Sequence, residues 1–483
     1  MVLIQPLVYA PMAGVKTTPQ NSRTVQPAPG HPASPVTLGR RAFLRQSLVL
    51  AGGCVLCPPP TPAADGLERN KPVGEAKGIY PGRVVWAHDP EVTDWKGPGD
   101  GHWWEGNRVK QDRVDAMMAR AVEELTGTSR VTEAWARLFT HLNRSRGKGA
   151  VGYQPGQRIV IKPNWVGLIY LEGHVNTETY TFIRRHDYMN TAPQMITALL
   201  RQLTAAGVRP SDITICDTLA CVVHEYHHVL TGEFPSVRFE DCAGKFGRIK
   251  ARPSDHALYW SSRPSGVAQD YVPTCFAEAD YLINFAALKA HTAGGVTLCA
   301  KNHYGSLVRW PVQKGYYDIH PNCFARQTRL YRPLVDLMGH ADFGGKTVLY
   351  LVDGLFTGVH PRDAVPQRMQ LSPFDGRWPC SLLASQDPVA IDSVGFDFLW
   401  AEGTEFPRKG GVDDYLHEAA LAHDPPSGTY YDPNHSQPTQ RLASLGVHEH
   451  WNNAGEKKYS RNLGLNEGIE MIQASMGLNR KAG

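Results

Sequence analysis

Short apolar runs alternate with amphipathic segments through the middle of the chain, and this alternation constrains the fold more than any other feature. Apolar runs of about four to eight residues are typical of buried strands, whereas apolar positions three and four apart are typical of helices. Alternating strands and helices favour an α/β fold, with a mostly parallel sheet covered by helices on both faces. We predict strands at 82–87, 158–163, 212–216, 237–241, 281–285, 347–352 and 381–384, and helices at 109–125, 193–206, 221–230, 332–338 and 388–400.

The alternation predicts one α/β domain over residues 65–424 of the 483 in the chain. From Pro425 onward Pro, Gly, Asn and His predominate, so 425–483 are predicted to be an irregular extension packed on that domain. Thr191 could cap the helix that begins near Pro193, because a threonine hydroxyl at this position can accept a backbone hydrogen bond.

An arginine pair precedes an apolar stretch near the N-terminus. Residues 40–46 read RRAFLRQ, the apolar stretch covers 47–56, and small residues and prolines follow. This order is typical of an export signal, and the paired arginines resemble the twin-arginine type. We predict a signal region at 1–64, the twin-arginine export machinery as a partner, and a periplasmic or otherwise exported product. Cys54, within AGGC, leaves lipid anchoring open as an alternative.

The charge distribution excludes several classes of partner. The 50 basic residues exceed the 46 acidic ones, but five basic residues lie in 1–64, which contains no acid. The other 45 basic residues nearly balance the acidic ones, so no basic surface for nucleic acid is expected. No apolar stretch reaches the roughly 18–20 residues that a membrane-spanning helix needs, so no transmembrane segment is predicted in the mature chain.

Cysteine spacing limits the metal clusters that the chain could hold. Of nine cysteines, Cys54 and Cys57 belong to the predicted signal region, and the other seven are scattered. Their spacing matches neither an iron–sulfur nor a zinc-ribbon motif, so no iron–sulfur cluster is expected. One or two disulfides could form in an oxidising compartment, with a pairing that the sequence does not define.

Polar residues gather where the predicted strands end. Ligands of open α/β sheets bind at the carboxyl ends of the strands. A lysine supplies a point charge for an anion, and glycines let backbone N–H groups approach it closely. We therefore predict a site for an anionic small molecule or cofactor at Lys162, Asn164, Lys289, Gly294, Gly295 and Asn302.

Catalytic and metal-binding roles are predicted for other residues at the same edge. His291 is the candidate acid–base group, and Lys301 is the candidate catalytic cation beside it. The candidate metal ligands share imidazole or carboxylate side chains, which commonly bind metals, and they are His303, Asp217 and Asp353. The cofactor stays open between a divalent metal and a nucleotide-derived molecule.

These stretches resemble the family known as domain of unknown function 362 (DUF362). The matching motifs are IKPN at 161–164, TAP at 191–193, KAHT at 289–292, VT at 296–297, KN at 301–302, VDG at 352–354 and LASQDPVAID at 383–392. The resemblance covers about residues 155–400 and implies the fold of that family, whose chemistry is generally not established. Many of its members add a ferredoxin module with C-x-x-C runs, and residues 65–483 contain no such run.

His291 and Lys301 also have a spacing that is similar to that of nickel-pincer lactate racemases. In that family a strand-end His is followed ten residues later by a Lys that holds the nucleotide-derived cofactor, across a Gly-rich turn. Here Gly294 and Gly295 lie between the two residues. The similarity implies a pyridinium-type cofactor on Lys301 and an acid–base His291, which suit hydride or proton transfer.

A separate motif points to zinc. His224, Glu225 and His228 form H-E-x-x-H within a predicted helix. Two His four residues apart share one helix face and can hold Zn²⁺, while the Glu can activate a zinc-bound water. The motif therefore predicts a zinc hydrolase as an alternative.

Together these patterns favour an exported enzyme of oxidoreductase or isomerase type that binds an anionic small molecule or nucleotide-like cofactor. The second hypothesis is a non-catalytic periplasmic protein that binds a solute or a metal with the same residues. The zinc hydrolase is the third.

Overall fold

The computed structural model describes residues 71–474 and 476, apart from 170–173, 264–268, 309–316, 324, 360–364 and 436–437. The described residues all belong to one compact unit that spans 62–483. The twin-arginine motif at 40–46 and Cys54 lie outside the described residues.

The strands of the described residues follow one another in chain order. They are β1 (Val73–Gly74), β2 (Arg83–His88), β3 (Ile159–Pro163), β4 (Val175–Asn176), β5 (Thr181–Phe182), β6 (Ile213–Cys216), β7 (Arg238–Asp241), β8 (Ile249–Lys250), β9 (Pro253–Leu258), β10 (Asp270–Pro273), β11 (Tyr281–Ala287), β12 (Lys289–His291), β13 (Gly295–Thr297), β14 (Thr347–Gly354), β15 (Ser381–Ser385), β16 (Val447–His448) and β17 (Glu470–Ala474).

The helices of the same residues are α1 (Gln111–Thr126), α2 (Val131–Ser145), α3 (Pro193–Ala205), α4 (His224–Glu233), α5 (Thr274–Ala277), α6 (Cys299–Asn302), α7 (His320–Cys323), α8 (Pro333–Gly339), α9 (Pro388–Ala401) and α10 (Asp414–Ala420). Across the described part of the chain, no helix combines the length and the apolar character that a membrane span requires.

A nine-stranded sheet forms the centre of the molecule, in the order β17-β2-β15-β14-β11-β3-β6-β7-β8. Both pairings of β15 are antiparallel and the other six pairings are parallel, so β15 alone runs against its neighbours. The predicted α/β fold with a mostly parallel sheet is confirmed.

Alternate side chains of the strands enter two separate cores. In β2, Val85 and Ala87 pack into one core, whereas Val84 and Trp86 pack into the other. The first core also contains the apolar faces of α1, α2 and α3, and the second contains those of α8, α9 and α10. Because side chains in a strand alternate between faces, helices cover both faces of the sheet, as predicted.

The strand order reverses between β3 and β11. From β3 the chain passes to β6, β7 and β8 on one side of it, and β11 then pairs with the other side of β3 before β14 follows. Connections that leave two neighbouring parallel strands in opposite directions open a crevice beyond their carboxyl ends. The topology therefore predicts a crevice where β3 and β11 end.

Three local features differ from the sequence-based expectations. Helix α2 has no counterpart among the predicted helices. Strand β17 lies in the C-terminal extension and pairs with β2 at the edge of the sheet. Thr191 does not cap α3: its hydroxyl donates to the carbonyl of Phe285 (2.9 Å) and accepts the backbone N–H of Asn164 (2.7 Å), because it lies between the ends of β3 and β11.

Candidate functional site

Most of the predicted site residues lie around the carboxyl ends of the parallel strands. In the pairing of β3 with β11, Lys162 is opposite Asn284, and in the pairing of β11 with β14, Ala287 is opposite Asp353. We call the polar residues gathered here the strand-end cluster. It consists of Lys162, Asn164, Asp217, Asn284, Lys289, Lys301, Asn302 and Asp353.

Lys162 and Asp217 form a buried ion pair. The Lys162 ammonium donates to Asp217 Oδ2 at 2.9 Å and to the carbonyl of Pro163 at 2.6 Å, and the two side chains are 1% and 6% exposed. Gly305 passes so close that a Cβ atom there would lie 2.9 Å from Lys162 Nζ. A side chain at this position would therefore have to shift the Lys162 ammonium or the Asp217 carboxylate.

Amide side chains connect this ion pair to the neighbouring strand. Asn302 Nδ2 donates to the carbonyl of Lys162 (3.0 Å) and to Asn284 Oδ1 (2.8 Å). Asn302 Oδ1 accepts from Asn164 Nδ2 at 3.1 Å and from Lys162 Nζ at 3.3 Å. Among the described residues, the buried Asn164 Oδ1 has no hydrogen-bond donor. A buried acceptor without a partner is costly, so this oxygen is suited to a donor group on a ligand.

Lys289 is fully buried, and burial lowers its pKa from 10.5 to about 7. The charges of Asp353 and Asp217 raise this pKa, while those of Lys162 and Lys301 lower it. The charged residues of the cluster therefore all influence the protonation of Lys289. The Lys289 ammonium donates to the carbonyl of Met189. A lysine with a pKa near neutrality can exchange a proton under physiological conditions.

Asp353 is the carboxylate that partners Lys289 electrostatically. Burial raises its pKa to about 6, although its oxygens accept the backbone N–H groups of Ala192 (2.8 Å) and Leu355 (2.9 Å), which favour the charged form. Ala192 directly precedes α3 and Leu355 directly follows β14, so these two hydrogen bonds of Asp353 hold the start of the helix next to the end of the strand.

Gly294 lies close to the side chains of both His291 and Lys301. The position of a Cβ atom on Gly294 would lie 3.3 Å from Lys301 Cε and 3.5 Å from His291 Nδ1. The backbone N–H of Ala293 donates to His291 Nδ1 at 3.0 Å, so the neutral ring carries its proton on Nε2. The Lys301 ammonium lies over the Tyr304 ring, 4.4 Å from its centroid. Gly295 instead packs against Val412, where a Cβ atom would collide at 2.0 Å.

Comparison with known families identifies the segment that contains this cluster. Residues 159–397 match the family model of DUF362, a domain of unknown function. The chain carries a DUF362 domain. The matched segment runs from the start of β3 into α9 and includes every residue of the strand-end cluster. No curated protein matches the chain.

The DUF362 domain does not bring the three predicted metal ligands together. Among the described residues, the donor atoms of His303, Asp217 and Asp353 form no set within 4.8 Å of one another. Asp217 is committed to Lys162, and His303 Nε2 lies 2.9 Å from the amide nitrogen of Asn284. Burial lowers the pKa of His303 to about 3, so its ring is neutral and orients Asn284.

The H-E-x-x-H motif forms the first part of α4, outside the strand-end cluster. The rings of His224 and His228 lie 5.0 Å apart on one helix face, as the motif predicts. The guanidinium of Arg248 lies 3.5 Å from His224 Nδ1, and Arg185 forms an ion pair with Glu225 at 3.7 Å. In the described part of the chain no third metal-ligating side chain joins this pair. The neighbouring cations oppose a zinc ion, so the geometry supports the hydrolase hypothesis less than the anion site.

Asn190 is a residue of this region that the sequence patterns did not indicate. Its Oδ1 accepts the backbone N–H of Gly167 (2.8 Å), and its Nδ2 donates to the Tyr226 hydroxyl (3.3 Å). These bonds position the segment whose Met189 carbonyl accepts from Lys289. The segment lies in a long irregular connection before α3, where neither periodicity nor a motif marks it.

Two cavities lie away from the strand-end cluster. One of about 510 Å³ is lined by α2, including Glu133 and Arg137. The other, of about 580 Å³, is lined by Trp104, Lys110 and Gln194. Neither is lined by a residue of the cluster, so the chemical groups and the topology, rather than cavity size, define the candidate site.

Proposed function

We propose that the strand-end cluster binds an anionic small molecule or a nucleotide-like cofactor, and that the chain is an enzyme of oxidoreductase or isomerase type. The observation that carries this proposal is the buried Lys289, whose pKa of about 7 is set in a crevice shared with Lys162, Lys301 and Asp353. Burying an ammonium without a counter-charge in contact with it is costly, and a bound anion would supply that counter-charge.

The residues of the cluster divide into supporting and ligand-facing groups. Asp217 neutralises Lys162, and the amides of Asn164, Asn284 and Asn302 hold that pair in place. Lys289 has no carboxylate within salt-bridge distance among the described residues, and its hydrogen bond goes to the carbonyl of Met189. The cationic form of Lys289 therefore favours a negative group of the ligand close to its ammonium.

Proton transfer is the chemistry that these residues support. In its neutral form Lys289 can accept a proton from a carbon or hydroxyl group of the bound molecule, and it can return that proton after the molecule has rearranged. His291, the predicted acid–base group, can donate to a developing oxyanion. Lys301 adds positive charge that stabilises the anion. If a hydride acceptor of nicotinamide type occupied the crevice, the same proton transfer would accompany hydride transfer.

A non-catalytic solute-binding protein would hold its anion with the same lysines. Such a protein has no need of a group that titrates near neutrality, whereas an acid–base catalyst does. The pKa of Lys289 is therefore the observation that favours the enzyme.

Binding of inorganic phosphate and of ADP to Lys301→Ala, followed by calorimetry, tests the site. Loss of a charge-assisted hydrogen bond costs about 1.5–3 kcal/mol, so at least one of the two anions should bind about 10–100-fold more weakly to the variant. Lys458→Ala, which removes a half-exposed surface lysine, is the matched control and should bind like the wild type. Equal affinity in wild type and Lys301→Ala, or no binding of either anion to the wild type, would contradict the proposal.

We further propose that Arg40 and Arg41 direct export by the twin-arginine route. Cell fractionation of the Arg40→Lys/Arg41→Lys double variant tests this, because a lysine pair keeps the charge and removes the arginines. The variant should stay in the cytoplasm while the wild type is exported. Equal distribution of the two proteins would contradict it, and a lipid label lost in Cys54→Ala would identify the anchored form.

A further inference from the structure

A group of metal-ligating side chains lies beside the strand-end cluster and takes no part in it. Cys216 is the last residue of β6, Glu240 is opposite it in β7, and Cys275 is the second residue of α5. Two thiols and a carboxylate present donor atoms that all lie within 4.8 Å of one another. Among the described residues this is the one group of three such donors from His, Cys, Asp or Glu side chains.

The separation of the donors fits a tetrahedral ion. With zinc–sulfur bonds of about 2.3 Å, two thiolates on one tetrahedral ion lie about 3.8 Å apart. The observed limit of 4.8 Å therefore requires only a small contraction of side chains. Two thiolates and one carboxylate are a donor set that Zn²⁺ accepts, with the fourth position open to water.

The three donors interact with one another, since the Cys275 thiol is hydrogen-bonded to Cys216 and to Glu240. Among the described residues, no nitrogen or oxygen donor hydrogen-bonds the Glu240 carboxylate, and the Cys216 side chain is fully buried. Burial raises the pKa of both thiols and of the Glu240 carboxyl, so without an ion the three groups favour their protonated forms. The positive charges of Lys162 and Arg238 act on Cys216 and Glu240, and would offset the negative charge of the occupied site.

We propose that Cys216, Glu240 and Cys275 bind one thiophilic divalent cation, for which Zn²⁺ is the representative. When the ion binds, the two thiols release their protons, and the carboxyl also does so if it is protonated. The ion would join β6, β7 and α5, three segments that are distant in sequence. Because Asp217 directly follows Cys216, the ion would also fix the end of β6 from which Asp217 reaches Lys162. This site stands independently of the proposed anion site.

Titration of the chelator-stripped, reduced full-length chain with Co²⁺, followed by competition with Zn²⁺, tests the proposal. One Co²⁺ per chain should bind and give the near-ultraviolet charge-transfer absorption of a thiolate ligand. Glu240→Gln keeps the shape of the side chain but removes the negative charge of a proposed ligand. It should weaken metal binding by at least about 10-fold, because mutating even the groups that only support a metal's ligands typically costs that much affinity. The Cys216→Ser/Cys275→Ser double variant should lose the absorption, with circular dichroism as the check on its fold.

Two control variants distinguish this site from the remaining cysteines and histidines of the chain. Cys380→Ser changes a buried cysteine elsewhere and should leave binding unchanged, as should His228→Ala in the H-E-x-x-H motif. Co²⁺ binding without thiolate absorption, or binding that persists in the double variant, would overturn the proposal. So would peptide mapping of the exported chain that found Cys216 and Cys275 joined as a disulfide, since these sulfurs could not then both be thiolate ligands.

Discussion

At the scale of single residues, burial decides what Lys289 can do. Its ammonium is removed from water beside Lys162 and Lys301, and the carboxylate of Asp353 compensates only part of the cost, so the pKa falls to about 7. The same burial raises the pKa of Asp353 to about 6. Two groups with opposite charges that both titrate near neutrality suit proton transfer better than they suit stability.

The pH dependence of stability should report this cost. Between pH 7 and 10.5 the folded chain binds fewer protons at Lys289 than the unfolded chain does, so the contribution of Lys289 to stability becomes less unfavourable as the pH rises through this range. Below pH 7 the folded chain carries the full cost of the buried charge. Lys289→Met should therefore increase the free energy of unfolding most below pH 7, by up to about 5 kcal/mol, and the gain should shrink towards pH 10.5.

Urea unfolding at pH 6 and at pH 9 measures this difference, with Lys458→Met as a control that should show no such dependence. A Lys289→Met variant that is stabilised equally at both pH values, or destabilised more at pH 6, would show that the buried lysine is fully compensated in the wild type.

The position of Lys289 near the end of a strand could be predicted from the sequence, but its pKa could not. A lysine just after an apolar run is expected at the carboxyl end of a strand, which located Lys162 and Lys289 correctly. The charge state of Lys289 depends on Asp353, Asp217 and Lys301, which come from distant segments. His303 shows the reverse case: its residue type suggests a ligand, while its buried contact with Asn284 leaves it a neutral positioning residue.

At the scale of elements, His450 joins two helices to the C-terminal segment. Its Nδ1 lies 2.6 Å from Asp397 in α9, and its Nε2 lies 3.3 Å from Asp413 at the start of α10. These carboxylates raise the pKa of His450 to about 10 against the effect of burial, and the charge of His450 helps to lower the pKa of the neighbouring His417 and His448 rings. Both ring nitrogens donate, so the ring is an imidazolium at neutral pH.

Replacing this ring should destabilise the protein in a pH-dependent way. A folded pKa raised above the unfolded value of 6.5 gives stability that is fully present below pH 6.5 and is lost as the pH rises through about 10. His450→Gln leaves the buried Asp397 without its cation and should cost about 3–5 kcal/mol at pH 6.5. The cost should shrink towards pH 10, as measured by urea unfolding. An equal cost at both pH values would mean that His450 is neutral in the folded protein.

Elements with strong local patterns could be predicted, and those defined by distant contacts could not. Helices α1, α3, α8 and α9 were predicted from local sequence patterns, and Asp387 caps α9 by accepting the N–H groups of Val389 and Ala390. Strand β17 contains a short, half-polar run, because it lies at the sheet edge and pairs only with β2. Its position depends on that pairing, which a local pattern does not encode.

At the scale of the whole molecule, the reversal of strand order explains why the polar residues meet. The sequence predicted the strands of a parallel sheet and the side chains at their ends, but neither the antiparallel β15 nor the switch between β3 and β11. Neighbouring strands are selected by long-range packing, so the order had to come from the structure. Once β3 and β11 are adjacent, Lys162, Asn284 and Asn302 are bound together by hydrogen bonds.

Anomalous diffraction from a crystal soaked in tungstate, a heavy analogue of phosphate, tests the central claim that this crevice binds anions. The account predicts an anomalous peak within hydrogen-bonding distance of Lys289 or Lys301, and its absence in Lys301→Ala crystals grown and soaked in the same way. Peaks confined to the molecular surface, or a peak in the crevice that persists unchanged in Lys301→Ala, would contradict it.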